Sequence, residues 1–323
     1  MEKKDLRIVF MGTPQFAVES LKALVENGYN VVGVITMPDK PAGRGYKLQP
    51  SPVKEYALSQ NLAVLQPEKL KNEIFLQELR NLKADLQIVV AFRMLPEVVW
   101  DMPPKGTFNL HASLLPQYRG AAPINWAVIN GEKETGATTF FLTHEIDTGK
   151  IIFQEKIPIK EEDDAGTVHD KLMEMGASLV LKTVDAIIGD TVKPIPQRNL
   201  IAQAEILKPA PKLFKETCRI NWADPAPSIR NFVRGLSPHP AAWTELTALD
   251  KTVSPFKIFE VSTVEKPHSL PAGTIVTDNK SFIDVAASSG FVRLLDIQLA
   301  GKKRMRAKEF LNGFQFPHES LFQ

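Results

Sequence analysis

Short apolar runs alternate with segments of helical periodicity across the first 190 residues, and this alternation restricts the fold more than any other feature. Leu6–Met11 is apolar, and Gly12-Thr13-Pro14 turns the chain into a helix whose apolar positions are Phe16, Val18, Leu21, Leu24 and Val25. Val31–Ile35 reads as the next strand, followed by an irregular Gly- and Pro-rich stretch over Met37–Pro52 and a helix around Val53–Gln60. Further strands are predicted at Ala63–Leu65, Leu86–Ala91, Thr107–Leu110, Ala137–Leu142 and Ile151–Ile157, with helices at Lys71–Asn81 and Ala165–Ile188. A chain patterned this way folds as a mostly parallel sheet covered by helices on both faces.

After Gly189 the texture changes. Pro194, Pro196, Pro209 and Pro211 mark residues 190–212 as an exposed linker. One helix is predicted near Ser228–Gly235. Short runs at Phe256–Val261, Gly273–Val276, Ile283–Ala286 and Val292–Gln298 point to a small antiparallel barrel or sandwich. A length of 323 residues suits two domains, here 1–189 and 213–323. Residues 205–323 hold 16 basic and 12 acidic side chains, while the whole chain balances 39 against 37, so any anion contact is expected in the C-terminal part.

Several classes are excluded. A single cysteine, Cys218, permits neither an intrachain disulfide nor a cysteine-based zinc site. No apolar run reaches the roughly 18–20 residues that span a bilayer, so a cytoplasmic protein without membrane contact is expected. The first strand-turn lacks the second glycine of Gly-x-Gly-x-x-Gly, the one that lets a pyrophosphate approach the backbone, which argues against dinucleotide binding. Nothing demands more than a monomer.

The polar constellation lies between Asn109 and Asp147. Period-two alternation puts Asn109 and His111 on one face at the end of a strand, where an open α/β sheet presents its ligand crevice. An amide beside an imidazole suits an oxyanion formed when a nucleophile attacks a carbonyl. Asp147, in a turn between two strands, can orient the imidazole or accept a proton. Each residue also fits an ordinary hydrogen-bonded strand end or turn, and spacing alone leaves both readings open.

The stretch Asn109-x-His-x-Ser-Leu-Leu-Pro-x-Tyr-Arg-Gly-Ala-Ala-Pro-Ile, followed by Asp147-Thr-Gly, resembles the folate-dependent formyltransferase superfamily. Phe10-Met-Gly-Thr-Pro-Gln-Phe-Ala, the loop from Pro38 to Val53 and Ala300-Gly-Lys-Lys-Arg-Met resemble its tRNA-directed branch. The resemblance implies a Rossmann-like α/β formyltransferase domain followed by an OB-like barrel. It also implies 10-formyltetrahydrofolate as formyl donor, the α-amino group of methionyl initiator tRNA as acceptor, and no metal. By the same likeness Asn109, His111 and Asp147 are the catalytic set. Ser113, Leu114, Leu115 and Pro116 match the folate-binding loop, although on the residues alone the two leucines simply cover a sheet edge. Val90–Pro96 corresponds to a second wall of that pocket, but Arg93-Met94 stands where the family carries Gly and one residue more. Arg44 and Lys47 match a loop that enters the acceptor stem, and Lys302, Lys303 and Arg304 match a phosphate-contacting cluster. Two alternatives remain: a sister enzyme formylating an amino sugar nucleotide or another small amine, and a non-catalytic tRNA-binding protein.

Overall fold

The structure, a computed structural model, describes residues 2–42, 47–201, 206–247, 253–317 and 320–323. Its first half contains, in chain order, β1 (Arg7–Gly12), α1 (Gln15–Glu26), β2 (Asn30–Ile35), β3 (Lys40–Ala42), β4 (Lys47–Gln49), α2 (Pro52–Ser59), β5 (Val64–Leu65) and α3 (Glu73–Asn81). β6 (Leu86–Val90), α4 (Glu97–Trp100), β7 (Thr107–His111), α5 (Pro123–Ile129), β8 (Glu134–Phe141), β9 (Ile151–Pro158) and α6 (Ala165–Ile188) follow.

Seven strands form one sheet in the order β5-β2-β1-β6-β7-β8-β9. The first five run parallel, and β8 is antiparallel to β7. β1 lies inside this sheet between two parallel neighbours, so Ile8, Val9, Phe10 and Met11 are all buried. That is why it reads as a continuous apolar run rather than an alternating one. Gly176 lets α6 come close to β7, because a Cβ there would meet Leu110 Cδ2 at 2.8 Å.

The stretch Met37–Pro52 is more regular than expected. β3 and β4 pair as a ribbon from Lys40↔Gln49 to Ala42↔Lys47. At its base the Asp39 carboxylate accepts from Gln66 Nε2 (2.8 Å) and Lys54 Nζ (2.6 Å), and these bonds hold it below the usual carboxylate range.

The chain divides into two compact units that do not follow a single cut in sequence. One comprises Met1–Gly120, Glu134–Ile157 and His169–Pro209, the other Ala121–Lys133, Pro158–Val168 and Ala210–Gln323. In the second, α5 packs on α7 (Ala226–Leu236), and Asn125 Nδ2 donates to Gly235 O at 2.8 Å. Its sheet is built from β10 (Ala242–Thr247), β11 (Val253–Val264), β12 (Ile275–Thr277), β13 (Ile283–Ala286), β14 (Phe291–Leu299), β15 (Met305–Arg306) and, after α8 (Ala307–Leu311), β16 (Leu321–Phe322). The strand order is β12-β13-β14-β11-β10-β16, with β15 beside β14. A bridge between Thr274 and Leu321 draws the two ends together, giving a nearly closed barrel around Trp222, Phe256, Phe310, Phe316 and Phe322.

Residues 190–212, expected as an exposed linker, are partly built into the fold. Ile195 pairs with Ile151, and Gln197 and Ala210 are buried. Prolines remove backbone donors but do not prevent neighbouring side chains from packing. No helix among the described residues is long and apolar enough to cross a membrane.

Candidate active site

β7 carries the first two polar residues. Its odd positions Asn109 and His111 share a face, while Phe108 and Leu110 face the opposite way into the core. His111 is 7% exposed, and its Nε2 lies 2.9 Å from the Tyr118 carbonyl oxygen. A carbonyl can only accept, so Nε2 carries the hydrogen. The other nitrogen, Nδ1, faces Asp147 Oδ2 at 3.8 Å, which is ion-pair range and too long for a hydrogen bond.

Asp147 sits in the left-handed region at φ +54°, which costs a non-glycine residue about 1–2 kcal/mol. Gly120 N donates to its Oδ2 at 3.0 Å. Gln197 Nε2 donates to the Asp147 carbonyl at 2.8 Å and to the Gly149 carbonyl at 2.9 Å. Arg119 in turn donates from Nε (3.1 Å) and Nη2 (2.6 Å) to Gln197 Oε1. Gly149 closes the turn so tightly that a Cβ there would lie 1.6 Å from Phe141 O. The Asp147-Thr-Gly sequence is therefore a constrained corner that presents one carboxylate to one imidazole.

Asn109 Oδ1 is buried with no hydrogen-bond partner among the described residues. An orphaned buried acceptor costs about 1–3 kcal/mol, a cost that a ligand N–H at this position would remove. Orphan acceptor, imidazole and carboxylate together suit a reaction that passes through a charged tetrahedral centre.

The loop after β7 is rigid. Ser113 Oγ donates to Gln117 O at 2.7 Å, Thr138 Oγ1 to Ser113 O at 2.7 Å, and Gln154 Nε2 to Leu115 O at 2.7 Å. Leu115 is buried with Phe140 and Ile151, the Leu114 tip lies 2.5 Å from where a Cβ on Gly136 would be, and Pro116 is buried. The side chains of Ser113, Leu114 and Leu115 thus serve the protein's own packing. In the neighbouring loop after β6, the Arg93 guanidinium donates to the carbonyls of Pro67 and Glu68, the latter at 2.8 Å.

The basic residues are placed less uniformly. Arg44 lies outside the described residues, and Lys47 is described by its backbone alone. Lys302 and Lys303 are exposed, whereas Arg304 is paired with Asp296 at 2.9 Å and stacked 4.1 Å from the Phe259 ring centre. Gln197, Arg119 and the Tyr118 carbonyl were not singled out from sequence. Only the proximity of Tyr118 and Arg119 to His111 in the motif pointed that way. No cluster of three or more His, Cys, Asp or Glu side chains suited to a metal ion occurs among the described residues.

Residues 6–184 match the family described as "Formyl transferase", and residues 212–315 match "Formyl transferase, C-terminal domain". The chain belongs to the formyl transferase family. This formyltransferase is 65% identical to the methionyl-tRNA formyltransferase of Bacteroides thetaiotaomicron over 98% of both chains. It is 53% identical to that of Flavobacterium johnsoniae over 99% of both, and 50% identical to that of Porphyromonas gingivalis over 97% of both. Among solved structures it is similar to an N-formyltransferase from Helicobacter canadensis crystallised with folinic acid and dTDP-3-aminofucose. The TM-score is 0.63 at 21% identity, covering 90% of this chain and 98% of that one. HypX from Aquifex aeolicus gives 0.62 at 18% identity, covering 97% of this chain and 49% of that one. At these identities the structural likeness establishes the shared fold.

Proposed function

We propose that this formyltransferase moves the formyl group of 10-formyltetrahydrofolate to the α-amino group of methionyl initiator tRNA, the modification that prepares it for translation initiation. The observation that carries the reading is the 65% identity over 98% of both chains with a methionyl-tRNA formyltransferase. Within that reading, residues 1–189 carry transfer, 190–212 join the parts, and 213–323 hold tRNA.

The free amine attacks the formyl carbon, and the carbonyl oxygen becomes an oxyanion. Asn109 supplies an amide N–H to that oxygen, while its unpartnered Oδ1 accepts an N–H of the attacking amine. His111 already gives its Nε2 hydrogen to Tyr118 O, so it donates to the oxyanion only as an imidazolium, through Nδ1. The Asp147 carboxylate 3.8 Å away supplies the counter-charge and takes the proton that the amine loses. Collapse of the intermediate breaks the bond to N10, which leaves as tetrahydrofolate with the proton that Asp147 took from the amine. The Ser113–Pro116 loop forms a preset wall for the donor. Arg44, Lys47, Lys302, Lys303 and Arg304 contact tRNA, and the enzyme acts as a monomer.

The test is to offer 10-formyltetrahydrofolate with methionyl initiator tRNA, with an amino sugar nucleotide and with glycinamide ribonucleotide in parallel. Formylation of the aminoacyl-tRNA alone is expected. Transfer to the sugar nucleotide and none to tRNA would refute the acceptor while leaving the chemistry in place.

A further inference from the structure

Gln197 lies in the stretch that joins the two family-matched regions, yet its side chain is 3% exposed and all its visible bonds point at the site. The main chain places it there. Ile195 exchanges two hydrogen bonds of 2.8 Å with Ile151 at the start of β9, and a single helical turn, Gln197–Leu200, follows at once. From that anchor the amide nitrogen reaches the carbonyls on either side of Thr148, those of Asp147 and Gly149. The amide oxygen receives both hydrogens from Arg119. Arg119 adjoins Gly120, whose N–H holds the Asp147 carboxylate. One amide therefore locks the two loops that meet at Asp147: one through its backbone, the other through the residue beside its carboxylate partner.

The chemistry of the amide decides its role. It donates twice on one side and accepts twice on the other, which a primary amide does without charge. Its side-chain bonds go only to the Asp147 and Gly149 carbonyls and to Arg119, so its effect on transfer runs through Asp147.

We infer that Gln197 is a positioning residue for Asp147: it holds the Asp147-Thr-Gly corner with the aspartate in its left-handed conformation and its carboxylate opposite His111 Nδ1. The inference rests on Asp147 acting in transfer, as proposed above. A carboxylate displaced by a fraction of an ångström loses its alignment with both the imidazole and the amine, while the surfaces that bind donor and tRNA stay as they were.

A double-mutant cycle on the full chain tests this with Gln197→Ala, Asp147→Asn and the pair, measuring kcat and both KM values. Gln197→Ala should lower kcat at least about ten-fold with each KM within about two-fold, the signature of a defect confined to the transition state. In the Asp147→Asn background the same change should have no further effect. Gln197→Glu guards against a folding artefact. It keeps the bonds to Arg119 but sets an oxygen against two carbonyl oxygens, so kcat, measured well below the melting transition of the variant, should fall at least as far. Wild-type kcat in Gln197→Ala or Gln197→Glu, or effects that multiply in the double variant, would overturn the inference. If Asp147→Asn alone is fully active, the aspartate's assigned role fails first, and this inference falls with it.

Discussion

Gly149→Ala turns the tightness of the Asp147 corner into a measurable quantity. The added methyl would sit 1.6 Å from Phe141 O, 2.8 Å from Phe141 C and 3.2 Å from Phe140 Cδ2. Ordinary contact begins near 3.4 Å, so the turn must retreat from β8 by well over an ångström. Two hydrogen bonds next to the methyl are then lost or stretched: Phe141 N to Lys150 O at 3.1 Å and Gln197 Nε2 to Gly149 O at 2.9 Å. At about 1 kcal/mol per bond plus about 1–3 kcal/mol for overpacking, the loss is about 3–5 kcal/mol. At about 2–4 °C per kcal/mol, the melting temperature of the unit carrying the site should fall by about 10 °C. Because the same movement carries Asp147 away from His111, kcat of the folded fraction should drop as well. Gly28→Ala is the matched control: φ is +73° and nothing lies within 4 Å of its Cβ, so it should cost only about 1–2 kcal/mol for the left-handed backbone and leave kcat unchanged. Calorimetry and initial rates at a temperature where both variants are folded give the comparison. A Gly149→Ala protein that melts with the control and turns over like the parent would refute the close packing described for this corner.

Other substitutions separate the remaining roles. Asn109→Ala and His111→Ala should each lower kcat by about 10²–10³ with folding intact, as for the loss of an oxyanion donor; near-normal rates would remove them from the reaction. Arg93→Ala frees the carbonyls of Pro67 and Glu68 and should raise KM for the folate donor while leaving that for tRNA unchanged, which steady-state kinetics in each substrate would show. In the C-terminal unit, Lys302→Ala and Lys303→Ala should each flatten the dependence of log Kd for tRNA on log salt by about one unit. Arg304→Ala, which also breaks the pair with Asp296, should weaken tRNA binding and lower the melting temperature as well. Glu161, paired with Lys133 and Arg230, has its carboxyl pulled down to about 2. Its stabilisation is therefore present above the ordinary glutamate range and lost as pH falls from about 4.5 toward 2. The carboxylate is well exposed, so the effect is at most about 1 kcal/mol. Denaturant midpoints of Glu161→Gln against the parent should converge across that window, and a constant difference would exclude the ion pair as its source.

How much of this was legible depended on what each element does with its side chains. α6 was readable to the residue, because its buried positions recur at helical spacing for six turns. β8 begins at Glu134, three residues earlier than its apolar run suggests, because buried Thr135, Thr138 and Thr139 belong to the same strand. The hydroxyls of Thr138 and Thr139 are satisfied inside, on Ser113 O at 2.7 Å and with Thr183 at 2.9 Å, and polarity counts suggest exposure where none exists. α4 and α5 are too short to show a period, and β10 follows two prolines that read as loop. In the site, strand alternation brought Asn109 and His111 to one face, a turn between two strands offered Asp147, and the resemblance joined the three into one set. Gln197 was invisible for a physical reason: a buried amide among prolines carries no charge and no period, and its importance is set by partners 50 and 78 residues away.

The place of Gln197 also governs how such proteins can be recombined. The N-terminal family match ends at residue 184 and the C-terminal one begins at 212, so a chimera joined at 189 looks clean on paper. Such a splice takes Asn109, His111 and Asp147 from one parent and the amide that steadies the aspartate from the other. A crossover placed beyond Pro209 keeps all of them in one lineage. C-terminal barrels are therefore exchangeable only with the crossover downstream of Gln197, and the joining segment is inherited with the N-terminal part.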